Sequence, residues 1–183
     1  MISRMLFAGS GGQGVLTIGN ILGNAAMLED FHVTFLPEYG AAMRGGTANC
    51  TLCVSDEEIA SPVVSSPDFL LSMNQPSVVS FINRLQPGGR LIYNSSIVDD
   101  VPVRGDISFF PVPASDLANE MGNVRSTNMI ILGSFIKLAK VVKIETLQES
   151  IQMLMGRKKK VAESVIKALM IGYEKFPCCF CDK

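Results

Sequence analysis

The sequence predicts a single α/β domain: a three-layer α/β/α sandwich around a mixed, mainly parallel sheet whose first β-loop-α unit is Rossmann-like. Three observations carry this. The chain opens with an apolar strand, a glycine loop and a helix, reading R-M-L-F-A-G-S-G-G-Q-G-V-L-T-I-G-N-I-L from Arg4. Later segments alternate short apolar runs with amphipathic helices, the pattern of a sheet covered by helices. Two strands, however, follow each other across a loop too short for a crossover helix, so one of them must run antiparallel. With 183 residues and 48% hydrophobic content, there is material for one well-buried domain over 1–183, fraying from about residue 174, and too little for a two-domain dehydrogenase.

The first strand runs into Gly9, Gly11 and Gly14, which stand in G-x-G-x-x-G spacing. Such glycines permit a tight turn, close approach of the backbone to a ligand, and tight helix–strand packing. The helix that follows presents unpaired N–H groups and a partial positive charge, which suit a phosphate or carboxylate. The motif by itself serves a dinucleotide site and plain helix packing equally well. Val15, Ile18, Leu22 and Ala25 recur with a 3.6-residue period. Gly19 and Gly23 lower helix propensity and predict a close approach to the sheet or to a partner. His32 to Leu36 is the next strand, ending at Pro37-Glu38. Glu38 falls where a Rossmann acid would hold a ribose hydroxyl, which admits a small NAD-binding module as a rival reading.

Tyr39-Gly40-Ala41-Ala42-Met43-Arg44-Gly45-Gly46 is a compact loop, not a crossover helix. It feeds Thr47 to Val54, where Ala48, Cys50, Leu52 and Val54 alternate with Thr47, Asn49, Thr51 and Cys53 as in a half-buried strand. After the polar turn Asp56-Glu57-Glu58 and a loop bracketed by Ser61-Pro62 and Ser66-Pro67, Phe69 to Met73 reads as a buried central strand. Asn74-Gln75-Pro76-Ser77 opens a helix carrying Val78, Phe81, Ile82 and Leu85, which stops at Pro87-Gly88-Gly89. Arg90 to Tyr93 is a strand, and Asn94-Ser95-Ser96 leaves its C-terminal end, where ligands gather in open α/β sheets. Ile107 to Phe110 is a further strand, and Ser115 to Met121 a short helix ended by Gly122. Asn128 to Val142 reads as a helix apolar nearly all round, which a central position inside the domain would satisfy. Two amphipathic helices close the chain, striped by Ile144, Leu147, Ile151 and Leu154 and by Val161, Val165, Leu169 and Tyr173. Arg157-Lys158-Lys159-Lys160 reads as a solvated linker between them.

A formal net charge of −1 gives no footprint for nucleic acid. A charged fraction of 18%, ten Met and no Trp fit a protein that hides part of its surface against partners. The N-terminal M-I-S-R-M-L-F-A-G lacks the basic region, apolar stretch and cleavage site of a signal peptide, and no run is long enough for a membrane span, so a cytoplasmic protein is expected. Five cysteines in such a chain read as free thiols.

Metal chemistry is not indicated. On a strand, Cys50 and Cys53 point to opposite faces, so they cannot chelate one ion. Cys178, Cys179 and Cys181 stand on the tail without a second cluster. The single histidine, His32, starts a strand at the end away from the expected crevice. No Gly-x-Ser-x-Gly elbow, Walker lysine or His-Glu-x-x-His occurs, so no catalytic residue is assigned.

Taken in order, Gly9-Ser10-Gly11-Gly12-Gln13-Gly14-Val15, Tyr39-Gly40, Met43-Arg44-Gly45-Gly46-Thr47-Ala48-Asn49, Asn74-Gln75-Pro76-Ser77, Gly89 to Ser96 and Asn128 to Gly133 resemble the gamma subunit, or the equivalent domain III, of the 2-oxoacid:ferredoxin oxidoreductases. The wording around Tyr39 to Asn49 looks most like the 2-oxoglutarate branch. The resemblance implies a complex that decarboxylates a 2-oxoacid on thiamine diphosphate with Mg2+, passes electrons through iron–sulfur clusters to ferredoxin, and forms an acyl-coenzyme A. It places those groups on or near alpha, beta and ferredoxin-like partner subunits, and none on this chain alone. Ligand or partner contacts are expected at Gly9, Ser10, Gly11, Gly12, Gln13, Gly14, Tyr39, Arg44, Gly45, Gly46, Thr47, Asn49, Asn74, Gln75, Asn94 and Ser95. Arg44 is expected to pair with a carboxylate, a phosphate or an acidic residue of the catalytic subunit. The 2-oxoacid, coenzyme A contact with this chain and homodimerisation of the isolated subunit are left open.

Overall fold

The computed structural model describes residues 1–39, 47–156 and 158–177. Its strands are β1 (Ile2–Ser10), β2 (His32–Tyr39), β3 (Thr47–Ser55), β4 (Phe69–Ser72), β5 (Arg90–Asn94) and β6 (Ser108–Val112), lying side by side in the order β2-β3-β1-β4-β5-β6. β3 runs antiparallel to both β1 and β2, and the β1–β4, β4–β5 and β5–β6 pairs are parallel. The sheet is therefore mixed and mainly parallel, as the short connection between β2 and β3 requires.

The helices are α1 (Val15–Leu28), α2 (Gln75–Phe81), α3 (Ala114–Glu120), α4 (Thr127–Ala139), α5 (Ile144–Met155) and α6 (Lys159–Lys175). Alternation along the strands divides the core in two. Met5, Phe7, Leu71 and Ile92 face α1 and α4, while Leu6, Ala8, Leu70 and Leu91 face Val78 and Ile82 on the opposite side. β1 is followed by α1 on one face and β4 by α2 on the other, so the sheet's topological switch lies between β1 and β4.

The glycines of α1 serve approach to the sheet. A Cβ at Gly19 would sit 2.9 Å from Cys50 Sγ, and one at Gly23 3.3 Å from Leu52 Cδ1. α4 is the central helix its composition predicts, with Met129, Ile130, Ile131, Leu132 and Phe135 at most 2% exposed. Phe135 meets Phe7 and Phe69 edge-on, with ring centroids 5.6 and 5.5 Å apart. On its far side α6 crosses so closely that a Cβ at Gly133 or Gly172 would collide with a backbone carbonyl of the facing helix.

Several boundaries and faces differ from the sequence reading. β3 is not half-buried: Asn49, Thr51, Cys53 and Ser55 are buried along with Cys50, Leu52 and Val54. β3 has neighbours on both edges, so its short polar side chains lie between the rows of β1 and β2. β2 continues through Pro37 to Tyr39, because an edge strand tolerates a residue without an N–H. α4 ends at Ala139, since Lys140 takes a left-handed conformation (φ 51°) and its N–H donates to the Ile136 carbonyl. In α5, Leu154 is exposed in the last turn, where its neighbour Met155 packs against the core instead. In α6, Leu169 is buried and Val165 and Tyr173 pack on the core as the stripe predicts, but Val161 is exposed and Ala162, Ala168 and Gly172 join the buried face. The close crossing at Gly172 selects that face over the larger Val161. Lys159 and Lys160 belong to the first turn of α6, not to a linker.

Candidate functional site

Beyond the C-terminal ends of β1, β4 and β5 lies a cavity of about 290 Å3 lined by Gly12, Gln13, Met73, Asn94, Ser115, Val124, Arg125, Thr127 and Asn128. It is at the switch point, where an open α/β sheet leaves its natural crevice. Gly12 (φ 92°) and Gly14 (φ 74°) both take conformations that other residues rarely adopt. Gly14 is the N-cap of α1 and meets Asn128 at the start of α4: Asn128 Nδ2 donates to the Gly14 carbonyl at 3.3 Å, leaving no room for a Cβ. The third glycine of the motif thus packs α1 against another helix, not against its own strand. Gly9 keeps the strand end narrow, since a Cβ there would lie 2.8 Å from Val15 Cγ2 and 2.9 Å from Met73 Cβ.

Gln13 turns back into the switch point. Its Oε1 accepts from Ser10 N–H at 2.7 Å and from Asn74 Nδ2 at 3.0 Å, and Asn74 Nδ2 also reaches Ser10 Oγ at 2.7 Å. Asn74 Oδ1 accepts from Ser77 N–H at 3.0 Å and so caps α2. Ser10, Gln13 and Asn74 therefore form one hydrogen-bonded cluster between β1, the glycine loop and β4. Asn94, fully buried, donates through Nδ2 to Ser115 Oγ at 2.8 Å and accepts from Ser115 N–H at 3.2 Å, tying β5 to the start of α3. Ser95 N–H donates to the Val112 carbonyl at 2.9 Å. Gln75 leaves the cluster: Nε2 donates to the Asp100 carbonyl and Oε1 accepts from Asp100 N–H.

Thr47 is exposed at the start of β3 opposite Ser10, and Asn49 stands opposite Ala8 with Oδ1 lacking a hydrogen-bond partner among the described residues. Tyr39 pairs with Ala48 at the end of β2. Arg44, Gly45 and Gly46, with the loop around them, lie outside the described residues, as do Arg157 and the cysteines at 178, 179 and 181. Arg125, Thr127 and Ser115 line the cavity but were absent from the expected contacts. Arg125 stands just before an apolar helix, a place where a basic residue carries no motif of its own.

Among the described residues the cavity lining offers amides, hydroxyls, a guanidinium and the N-terminal ends of α1 and α4. It can hold acceptor-rich groups. The cysteines are on opposite faces of β3. Cys50 Sγ contacts the Val15 carbonyl at 3.8 Å under α1, where burial pushes its thiol up to about 12, and burial raises Cys53 as well. Among the described residues no group of three or more His, Cys, Asp or Glu could hold a metal ion, and no helix is long and apolar enough to cross a membrane.

A ribose-binding acid is ruled out by the topology. β3 is inserted between β1 and β2, so Glu38 is exposed and two strands from the glycine loop, roughly 10 Å away at ordinary strand spacing. Ser10 N–H, moreover, is already taken by Gln13. This placement gives the nicotinamide reading no support.

Fold and crevice define a three-layer α/β domain with a polar pocket at the switch point of its mixed sheet. The chain belongs to the Pyruvate ferredoxin/flavodoxin oxidoreductase family, which it matches over residues 4–175. It is 34% identical over 172 residues to ketoisovalerate oxidoreductase subunit VorA of Methanothermobacter thermautotrophicus, covering 93% of this chain and 36% of that protein. It is also 34% identical over 159 residues to 2-oxoglutarate synthase subunit KorC of Methanothermobacter marburgensis, covering 83% of this chain and 86% of KorC. The chain spans about a third of the length of the VorA relatives and most of the length of KorC. In structure it resembles the keto/oxoacid ferredoxin oxidoreductase gamma subunit of Geobacter sulfurreducens, with a TM-score of 0.83, 26% identity and 96% of both chains covered.

Proposed function

We propose that this chain is the gamma subunit of a cytoplasmic 2-oxoacid:ferredoxin oxidoreductase, which converts a 2-oxoacid, coenzyme A and oxidised ferredoxin to acyl-coenzyme A, CO2 and reduced ferredoxin. The proposed 2-oxoacid is 2-oxoglutarate. The observation that carries this reading is the 34% identity to a 2-oxoglutarate synthase subunit of matching length.

The chain's own role is accessory. In this reading the iron–sulfur clusters, thiamine diphosphate and its Mg2+ are carried by alpha, beta and ferredoxin-like subunits, as the family resemblance implies. Bound there, thiamine diphosphate supplies the carbanion chemistry of decarboxylation. This chain contributes the loop Tyr39 to Asn49 and the crevice of Gly9 to Gly14, Asn74, Gln75, Asn94 and Ser95 as contacts for a ligand or partner. Arg44 is the side chain with most to offer, as a fork of donors for a carboxylate or phosphate.

Co-expression with the alpha, beta and ferredoxin-like subunits tests the reading. The complex is expected to reduce a viologen dye with 2-oxoglutarate and coenzyme A faster than with 2-oxoisovalerate or pyruvate, and the isolated chain to do nothing. Faster turnover of another 2-oxoacid would reassign the substrate, and failure to co-purify with thiamine-binding subunits would end the proposal. Arg44→Ala is expected to weaken assembly or activity without lowering the melting temperature of the chain. Full activity with normal co-purification would remove that loop from the site.

A further inference from the structure

Among the described residues the outer edge of β2 has no neighbouring strand, and it exposes one large apolar side chain on each face. Phe35 is 38% and Leu36 37% exposed at the middle of this eight-residue strand. Met27 of α1, 54% exposed, continues the helical stripe of Gly19 and Gly23, the positions at which α1 rests on Phe35 and Val33. The other edge, β6, has five residues, and none of its large apolar side chains is exposed. A long open edge with apolar flanks is a template for another strand.

We propose that this edge pairs with the same edge of a second copy of the chain, β2 antiparallel to β2 about a twofold axis at Phe35, so that two sheets become one. Charge sets the register. With Phe35 opposite Phe35, the imidazole of His32 in each copy stands opposite the carboxylate of Glu38 in the other, and symmetry makes the contact twice. Sliding the strands by two residues places Glu38 opposite Thr34, or His32 opposite Leu36, and loses both pairs. In the self-complementary register Leu36 is covered by Thr34, and the two Phe35 rings cover each other. Pro37 agrees with it. A proline is tolerated within β2 where its missing N–H falls on the open side, and alternation turns the backbone of Val33 and Phe35 to that side as well. The Phe35 pair then makes both of its bonds, and each Val33 N–H donates to a Pro37 carbonyl.

This pairing stands independently of the 2-oxoacid assignment. The test uses the full chain with Cys178, Cys179 and Cys181 changed to Ser, Cys50 and Cys53 being buried. Paired residues of such a ladder have Cα atoms about 5.5 Å apart, within disulfide reach. Phe35→Cys is therefore expected to oxidise to a covalent dimer, whereas Thr34→Cys, which faces Leu36, is not. By light scattering the unmodified chain is expected at twice its monomer mass. His32→Glu is expected to raise the dimer dissociation constant about tenfold or more, and adding Glu38→Lys to restore it. A monomeric chain, equal cross-linking at positions 34 and 35, or a disulfide from position 35 to a different subunit in the co-purified complex would overturn the pairing.

Discussion

Gly133 and Gly172 are where α4 and α6 touch backbone to backbone, and Ser134 Oγ donates to the Gly172 carbonyl at 3.0 Å across the same contact. A methyl group there can be accommodated only by moving a helix. Gly172→Ala is expected to cost about 2–4 kcal/mol, seen as a lower urea midpoint, because overpacking against backbone has no flexible side chain to absorb it. Gly105→Ala, with nothing within 4 Å of its added Cβ, is the control and is expected to change stability by less than about 0.5 kcal/mol. Cys50 gives a pH signature at the same scale. Its pKa is raised by burial to about 12 in the fold and falls back towards 9 on unfolding, so the native state keeps a proton that the unfolded chain loses. Its contribution is complete below pH 9 and is lost as the pH rises from there towards 12, so denaturant midpoints are expected to fall over that alkaline window in the wild type more than in Cys50→Ala.

At the scale of elements, the period of apolar residues was enough to place α1, α4 and the strands, because a 3.6 or 2.0 repeat is the direct imprint of a buried face. On α6 it found Val165, Leu169 and Tyr173 but missed Ala162, Ala168 and Gly172, which are small and give little periodic signal. It also missed that the polar half of β3 is buried, since alternation reports side-chain direction and not what lies over it. Asn74 ties several elements at once by capping α2 and bonding Ser10 and Gln13. Asn74→Ala is expected to destabilise by about 1–2 kcal/mol. Measured by urea denaturation, the Asn74→Ala and Gln13→Ala double-mutant cycle should give a favourable coupling, and strict additivity would show that the two side chains act separately.

For the whole molecule, the insertion of β3 between β1 and β2 decides what the glycine loop can do. It moves Glu38 out to the sheet edge, and Gln13 occupies the N–H a phosphate would otherwise meet. Calorimetric titration of the chain with NAD(H) or NADP(H) is accordingly expected to give no binding at micromolar concentration, and measurable heat would restore the loop as a nucleotide site. Ser10, Gln13, Asn74 and Asn94 were legible as crevice residues because they follow strand ends. Arg125 and Ser115 were not, since they reach the crevice only through the packing of α3 and α4 against the sheet.

By itself the sequence determined the class of fold and the antiparallel turn-back after β2, both of which follow from local pattern and residue chemistry. Only the tertiary structure decided the order of the strands, the placing of Gly14 against Asn128, and the closure of the switch point by Gln13 and Asn74. Those depend on contacts between residues far apart in the chain, and the spacing of residues along a sequence carries no record of which distant segments will meet.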